Sequence, residues 1–183
     1  MIRYVIIIFA AAIISCESFP ENHFECFVIP ENEHYATNRH AEALQSSTLF
    51  FQARFDETAE YSLPDGLQDS KNKLLGFSDC NAEHHENSAR FGWQWFNNTI
   101  EIFAYCYVDG RRIEAYLGEV SIGEVADYEI EITSDAYVFT FQNKKTRIER
   151  KSQCETGVYM MLWPFFGGQH PAPHDVNVYL KRF

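Results

Sequence analysis

One cluster of side chains that could do chemistry contains two adjacent imidazoles and a nearby guanidinium. His84 and His85 precede Glu86, and Arg90 follows four residues later. Histidines beside a carboxylate can bind a transition metal or transfer protons near neutral pH. The spacing matches no metal motif such as HExxH, and neighbours in a strand point to opposite faces, so the rings converge only if the loop bends. Asn87 and Arg90 remain candidate ligands for a sugar or a carboxylate, and the plainer interpretation is a solvated loop that enters a strand.

Aromatic rings share one face of the segment 99–108. If this segment is a strand, one face is small and apolar, and the other carries Glu101, Phe103, Tyr105 and Tyr107. A tyrosine offers a ring for stacking and a hydroxyl for hydrogen bonding. We therefore expect a ligand, if there is one, to bind on this second face. The alternative is that loops cover the face and its rings form a second, smaller core.

The segment 163–175 concentrates aromatic, imidazole, glycine and proline residues near the C-terminus. It holds Trp163, two phenylalanines, two histidines, two glycines and three prolines. The prolines and glycines set an unusual backbone path. The segment could wall a binding cleft, with His170 or His174 as a proton donor, or it could plug one end of the domain with Phe165 and Phe166 buried.

These features give a predicted ligand-binding set, which comprises Arg90, Trp93, Glu101, Tyr105, Tyr107 and His174. A polysaccharide lyase would need a converging Arg, His and Tyr set, for which Arg90, His85 and Tyr105 are the candidates. A hydrolase needs two carboxylates roughly 5–9 Å apart, and Glu129 and Glu131 offer only a weak match. No phosphate loop, EF-hand loop or CxxC pair is present. We therefore predict no metal and no cofactor.

The N-terminus has the layout of a secretory signal peptide. Arg3 precedes an apolar run over residues 5–14, which is shorter than the roughly 18 residues that a membrane span needs. The run ends in Ile13-Ile14-Ser15-Cys16, which resembles the lipobox of bacterial lipoproteins. This resemblance implies that Cys16 carries lipid, including palmitate, and anchors the protein to a membrane of the cell envelope. The expected organisation is a signal peptide over 1–15, lipid attachment and a tether over 16–47, and a β-sandwich over 48–183. Within the tether, Cys26–Ile29 is a candidate early strand.

The charge balance limits the classes of partner that the protein is expected to bind. The chain has 15 Lys and Arg against 26 Asp and Glu, a net charge of −11. Such an acidic surface argues against nucleic acid and against anionic membrane surfaces as partners. We expect a monomer whose partners are the membrane, through its lipid anchor, and a glycan. The four cysteines other than Cys16 allow three pairings, and Cys106 falls on an apolar strand face where a buried free thiol would fit.

Hydrophobic alternation with a period of two runs through most of the chain after residue 47, and no helical pattern interrupts it. Asn97-Asn98 and Asp109-Gly110 are turn signals between such segments. Ten or more short strands at this spacing predict an all-β, antiparallel two-sheet sandwich of the jelly-roll type. The predicted strands are 48–55, 59–63, 73–78, 88–96, 99–108, 112–122, 127–133, 136–142, 146–151, 157–163 and 175–183.

The order of these features resembles the concanavalin A-like sandwich of lectins and of some bacterial polysaccharide hydrolases and lyases. The segments 72–77, 85–93, 163–168 and 172–175 also resemble a class of short uncharacterised bacterial lipoproteins. The fold likeness implies a glycan-binding module as the leading function. A polysaccharide lyase or hydrolase, and a structural or assembly lipoprotein, remain the alternatives, so the sequence leaves open whether the protein is an enzyme.

Overall fold

The computed structural model describes residues 24–64, 66–154 and 159–183, and the predicted signal peptide and Cys16 lie outside these ranges. The described residues form twelve strands and one 3-10 turn, Glu57–Ala59, with no α-helix. The strands are β1 Glu25–Ile29, β2 Ala43–Leu44, β3 Thr48–Phe55, β4 Asn72–Ser78, β5 Ser88–Phe96, β6 Thr99–Val108, β7 Arg111–Val120, β8 Ala126–Ile132, β9 Ala136–Phe141, β10 Lys144–Glu149, β11 Tyr159–Leu162 and β12 Val176–Arg182.

The strands form two six-stranded antiparallel sheets. One sheet, which we call the back sheet, has the order β1-β12-β3-β8-β9-β10. The other has the order β2-β11-β4-β5-β6-β7, and we call it the cleft sheet because a cleft, described below, opens on its outer face. The predicted all-β, two-sheet sandwich is thereby confirmed.

Alternation along the strands builds the core between the two sheets. In β6, Ile100, Ile102, Ala104, Cys106 and Val108 are buried against the back sheet, as their spacing predicts. Aromatic rings join the layers: Phe91 of β5 contacts Phe51, Tyr128 and Phe139 of the back sheet edge to face. One face of the cleft sheet packs in the core. The side chains of Glu101, Phe103, Tyr105 and Tyr107 on β6 therefore lie on the opposite, outer face of that sheet.

Two-residue turns fix the register in which β5, β6 and β7 pair with one another. Asn97 and Asn98 join β5 to β6, and Asp109 and Gly110 join β6 to β7. All four residues have positive φ, as the tight primed hairpin turns require, and Asn, Asp and Gly adopt that conformation at low cost. Both predicted turns are therefore present.

The structure differs from the sequence prediction near both ends of β3. Residues 59–63, predicted as a strand, have no strand partner. Instead Asp56 caps the 3-10 turn by accepting a hydrogen bond from Thr58 N at 3.0 Å, which turns the chain away from the sheet. On the other side, β1 confirms the candidate early strand at Cys26–Ile29, whereas β2 was not predicted; both fall within the segment predicted as a tether, and each pairs into a sheet. The sandwich thus includes residues before position 48.

A buried ion pair connects the two sheets at one edge. Asp79, just after β4, accepts hydrogen bonds from Arg150 Nε at 2.7 Å and from the Tyr137 hydroxyl at 2.5 Å. The adjoining disulfide joins Cys80 to Cys154, and Cys106 is a buried free thiol. The described part of the chain has no helix that is long and apolar enough to cross a membrane.

Candidate functional site

A cleft of about 970 Å³ opens on the outer face of the cleft sheet. Its floor consists of residues from β4, β5, β6 and β7, which are consecutive in the sheet. Its walls come from the turn around His84, from the loop 35–41 and from the segment 161–168. The volume is typical of a small-molecule site and accommodates a short stretch of polymer. The cleft opens on the face on which the sequence predicted binding.

Arg90 and Tyr105 lie opposite each other at the centre of the floor. They are register partners in β5 and β6, and the Arg90 guanidinium carbon lies 5.3 Å from the centroid of the Tyr105 ring. Arg90 is only 5% exposed, and its Nε has no hydrogen-bond acceptor among the described residues. A buried guanidinium without a carboxylate partner is costly, and because Arg90 also lines the cleft, its charged N–H groups are strong donors for an anionic group that binds there.

Lys73 occupies the floor beside Arg90 because β4 contains a bulge. The register with β5 shifts by one residue between Lys73 and Gly76, and Leu74 and Leu75 within the bulge are both fully buried. The extra residue places Lys73 and Gly76 on the cleft face, although an even alternation would put them on opposite faces. Burial, reinforced by the charge of Arg90, lowers the pKa of Lys73 to about 7.

The two histidines converge because their loop bends. Glu86 N donates to Glu83 O at 2.8 Å, and the Ser88 hydroxyl donates to His84 O at 2.6 Å. The resulting turn brings the His84 and His85 rings to 4.1 Å between centroids. The ring of His85 also lies 5.0 Å from that of Tyr107. Burial lowers the pKa of His84, and the nearby His85 and Arg90 add to the effect.

The C-terminal segment both walls the cleft and fills the core. Phe165 N donates to Lys73 O at 3.0 Å, so the segment runs beside β4. The Phe165 ring contacts Tyr35 edge to face at 4.9 Å and faces the cleft, while Phe166 points inward and is fully buried. The segment therefore walls the cleft with Phe165 and fills the core with Phe166, whereas neither of the proposed proton donors, His170 and His174, is among the residues that line the cleft.

Positive charge dominates the cleft of this acidic protein. Among the described residues that line it, five carry a positive charge and two a carboxylate; the cations are Arg39, Lys71, Lys73, Arg90 and Arg112, and the carboxylates are Asp69 and Glu114. Of these cations, Arg112 alone lies within ion-pair distance of a described carboxylate, at 3.0 Å from Glu114. The cleft is therefore an electropositive site on a molecule whose net charge is −11.

The structure brings together part of the predicted ligand-binding set. Arg90, Tyr105 and Tyr107 line the cleft, as does His85 of the lyase set. Tyr105 is 4% exposed beneath the two cations, so it supports Arg90 and Lys73 rather than presenting a stacking face. Burial, with the contact to Tyr107, raises the pKa of Tyr105 to about 12.

Three predicted residues lie elsewhere, and their assignment to the ligand site is corrected here. Trp93 belongs to the core face of β5, where it is fully buried against Phe55. Glu101 shares the face of Tyr105 but sits beyond the cleft, hydrogen-bonded to Gln94. His174 Nε2 hydrogen-bonds Thr58 O at 3.0 Å, away from the cleft.

Sequence reasoning missed four of the cations, namely Arg39, Lys71, Lys73 and Arg112. Arg112 could have been found, because it follows the Asp109-Gly110 turn and pairs in register with Tyr107. Lys71 precedes β4 and Lys73 lies within it, next to a bulge that the sequence pattern does not predict, and Arg39 lies in the segment predicted as a tether. One trio of potential metal-ligand atoms occurs among the described residues, Asp79 with Cys80 and Cys154. Its sulfurs are joined in a disulfide and its carboxylate pairs with Arg150, so it offers no thiolate to a metal.

Comparison with solved structures shows the class of fold. An alginate lyase from Pseudomonas aeruginosa aligns with a TM-score of 0.57 at 11% identity, covering 90% of this chain and 87% of the lyase. The catalytic domain of an endo-1,3-β-glucanase (laminarinase) from Thermotoga petrophila aligns with a TM-score of 0.57 at 9% identity, covering 88% of this chain and 76% of the glucanase domain. A non-specific endo-β-1,3(4)-glucanase of family GH16 aligns with a TM-score of 0.57 at 10% identity, covering 87% of this chain and 70% of the glucanase. The protein therefore has the fold of a concanavalin A-like β-sandwich. No protein-family model and no curated protein matches the sequence.

Proposed function

We propose that the cleft binds an acidic polysaccharide. The observation that carries this proposal is the set of cations without a described carboxylate partner, Arg39, Lys71, Lys73 and Arg90, gathered in one cleft of an acidic protein. Like charges placed together cost free energy, and an anionic ligand would offset that cost. The Arg90 guanidinium, which lines the cleft, offers charged N–H donors suited to a carboxylate.

A glycan suits the shape and lining of the site better than a small anion does. The cleft is long enough to contact residues from four strands, and Tyr35, Tyr107 and Phe165 add ring surface along it. Sugar rings pack on aromatic faces, and charged substituents on the sugar would meet the cations. The likeness in fold to an alginate lyase and to an endo-1,3-β-glucanase supports a glycan as the class of ligand.

The binding proposal is tested by calorimetry on the purified protein. Oligosaccharides of polymannuronate, polygalacturonate and glucuronan are compared with neutral laminarin oligosaccharides of equal length. We expect at least one polyuronate to bind, with an affinity that falls as salt increases. Equal binding of the neutral glucan, with no dependence on salt, would contradict an electropositive carboxylate site.

Arg90→Gln should weaken polyuronate binding and leave the fold at least as stable. The loss of charge-assisted hydrogen bonds is worth about 1.5–3 kcal/mol, which corresponds to a decrease in affinity of about 10- to 150-fold. Stability should hold or rise, because the substitution removes a buried cation without an ion-pair partner among the described residues. Calorimetry and thermal unfolding measure the two effects.

Arg147→Gln provides the matched control for this variant. Arg147 lies on β10 of the back sheet, where its exposed side chain pairs with Asp135. We expect its substitution to leave affinity unchanged. Equal losses of affinity in the two variants would show that general charge, rather than the Arg90 site, attracts the polysaccharide.

A second candidate function is polysaccharide lyase activity. The observation in its favour is that Arg90, His85 and Tyr105 line the same cleft, as a lyase would require. Glu129 and Glu131, the weak hydrolase pair, lie instead on β8 of the back sheet. Lyase activity is consequently favoured over hydrolysis through that pair.

We also propose that the protein is a lipoprotein anchored through Cys16, on the strength of the lipobox-like Ile13-Ile14-Ser15-Cys16. Several acyl chains on one cysteine bind a bilayer durably, whereas a single chain binds only marginally. Fractionation of cells that express the parent or Cys16→Ser tests the anchor. The parent should sediment with membranes and the variant should not; identical partitioning would remove the lipid assignment.

A further inference from the structure

The Lys73 amine is held in an unusual position at the floor of the cleft. Its Nζ donates hydrogen bonds to Lys71 O and Gly167 O, both at 2.8 Å, and the residue is only 7% exposed. Two N–H groups are thereby used. The third position on the nitrogen carries a proton when the amine is charged and a lone pair when it is neutral. Since Lys73 also lines the cleft, this position is where a proton can be exchanged with a ligand.

The surroundings of Lys73 destabilise the charged amine, so that the charged and neutral forms coexist near neutral pH. Its Nζ lies 4.9 Å from the centroid of the Tyr105 ring and 5.4 Å from that of Phe165. Arg90 and Arg112 oppose the charged form and Glu114 supports it, but burial is the largest influence, and the pKa falls to about 7. A substantial fraction of the amine is therefore unprotonated at neutral pH, which is the condition for a general base.

We propose that Lys73 is the general base of a β-elimination that cleaves a uronate-containing polysaccharide, with Arg90 binding the uronate carboxylate. This inference rests on the proposed binding of an acidic polysaccharide and assigns the reaction and its proton acceptor. The set of lyase residues predicted from the sequence, Arg90, His85 and Tyr105, does not include Lys73.

The proton and electron balance of the step is complete without a further co-reactant. Lys73 Nζ takes the proton on C5, the electron pair of that C–H bond forms the C4–C5 double bond, and the C4–O bond breaks. The departing oxygen takes a proton from the Tyr105 hydroxyl or from water. Lys73 afterwards gives its proton to solvent, and a Tyr105 that has donated takes one back from solvent, so both groups return to their starting states. Arg90 makes the C5 proton more acidic by stabilising the negative charge that develops on the carboxylate.

The neighbouring groups have protonation states that suit these roles. Tyr105 keeps its proton at neutral pH, because its pKa is raised to about 12, and it can donate to the leaving oxygen. The charged and titratable groups that face Lys73 are Arg90, Tyr105, Arg112, Glu114, Lys71 and His84. The base acts in its neutral form, so the rate should rise with pH through about 7 and then level off.

The test measures the unsaturated uronate product by its ultraviolet absorbance, with the three polyuronates named above and the full-length protein. Lys73→Arg keeps the positive charge but cannot deprotonate near neutral pH, and Lys73→Gln removes both charge and base. We expect Lys73→Arg to bind polyuronate within a few-fold of the parent and both variants to lose about 100- to 10,000-fold in rate. Lys145→Gln, an exposed lysine on β10, is the control and should retain the full rate.

The outcomes separate this inference from the binding proposal. If no polyuronate binds, the proposed function fails and the inference fails with it. If a polyuronate binds but no unsaturated product forms, or if Lys73→Arg turns over like the parent, the binding proposal stands and the assignment of Lys73 is overturned. NMR titration of lysine labelled at the ε-carbon gives a readout that needs no substrate: a Lys73 signal that titrates near 10, rather than near 7, would also overturn it.

Discussion

Asp79→Asn is expected to destabilise the protein by about 3–5 kcal/mol, because it leaves the Arg150 charge buried without its carboxylate. Asp79 is fully buried, and the Arg150 side chain is 3% exposed. Asparagine keeps the size of the side chain, so the loss reports on charge and hydrogen bonding rather than on a cavity. Chemical denaturation of the purified variant measures the free energy of unfolding.

The effect is large because Asp79 is the point at which several parts of the fold meet. Its carboxylate belongs to the loop after β4 of the cleft sheet, whereas Tyr137 and Arg150 lie on and after strands of the back sheet. Arg150 also donates to Thr133 O and Cys154 O, at 3.1 and 2.7 Å. Removing the charge therefore weakens the connection between the two sheets next to the loop that carries His84.

Asp135→Asn is the matched control, since Asp135 pairs with Arg147 at the exposed surface. Exposed ion pairs contribute little, so this variant should unfold like the parent. Replacing Asp79 by leucine and Arg150 by methionine together should recover part of the loss, because no unpaired charge is then left inside. Equal stabilities for Asp79→Asn and Asp135→Asn would show that the buried pair does not hold the sheets together.

The strands and their faces could be predicted from the sequence because both follow from short-range patterns. In β6, alternation alone separated Ile102 and Cys106, which are buried, from Tyr105 and Tyr107, which lie on the cleft face. The same reasoning applied to β5 puts Trp93 on the face opposite Arg90. Its inclusion in the ligand-binding set was therefore wrong on the pattern itself, since one strand cannot present both residues to one cleft.

The cationic floor of the cleft could not be predicted, because it depends on irregular and long-range structure. Lys73 and Gly76 share a face only through the bulge in β4, and nothing in the order Lys-Leu-Leu-Gly requires a bulge. The carbonyl that fixes the Lys73 amine comes from Gly167, which is 94 residues away. The convergence of His84 and His85 likewise depends on a turn held by Glu83 and Ser88.

The interpretation of His174 failed for a related reason. Its proximity to Asp175 and to the aromatic segment suggested a site residue, but the chain turns after Gly167 and carries His174 to the 3-10 turn at Thr58. The contact that places His174 joins residues 116 positions apart, and no local pattern in the sequence reveals such a contact.

Gly76→Ala should reduce stability by about 3 kcal/mol or more, at or above the upper end of the usual cost of overpacking, and should also impair polyuronate binding. A Cβ at Gly76 would lie 2.1 Å from Ala89 O and 2.6 Å from Arg90 Cγ. The first contact is with backbone of the neighbouring strand, so β4 and β5 would have to separate. The second is with the arm that carries the guanidinium, because Gly76 and Arg90 are register partners.

Gly168→Ala distinguishes this clash from the general effect of replacing a glycine. A Cβ at Gly168 meets nothing within 4 Å, so this variant should lose no stability, since alanine also restricts the unfolded chain. Denaturation of both variants compares their stabilities, and calorimetry on Gly76→Ala measures its binding; because Gly168 lines the cleft, its variant serves as a control for stability alone. If Gly76→Ala unfolds and binds like the parent, then the bulge does not set the register of β4 against β5, and the position of Arg90 in the cleft loses its structural basis. If it loses both stability and affinity, the missing side chain at Gly76 is what lets a buried arginine lie across the cleft floor beside Lys73.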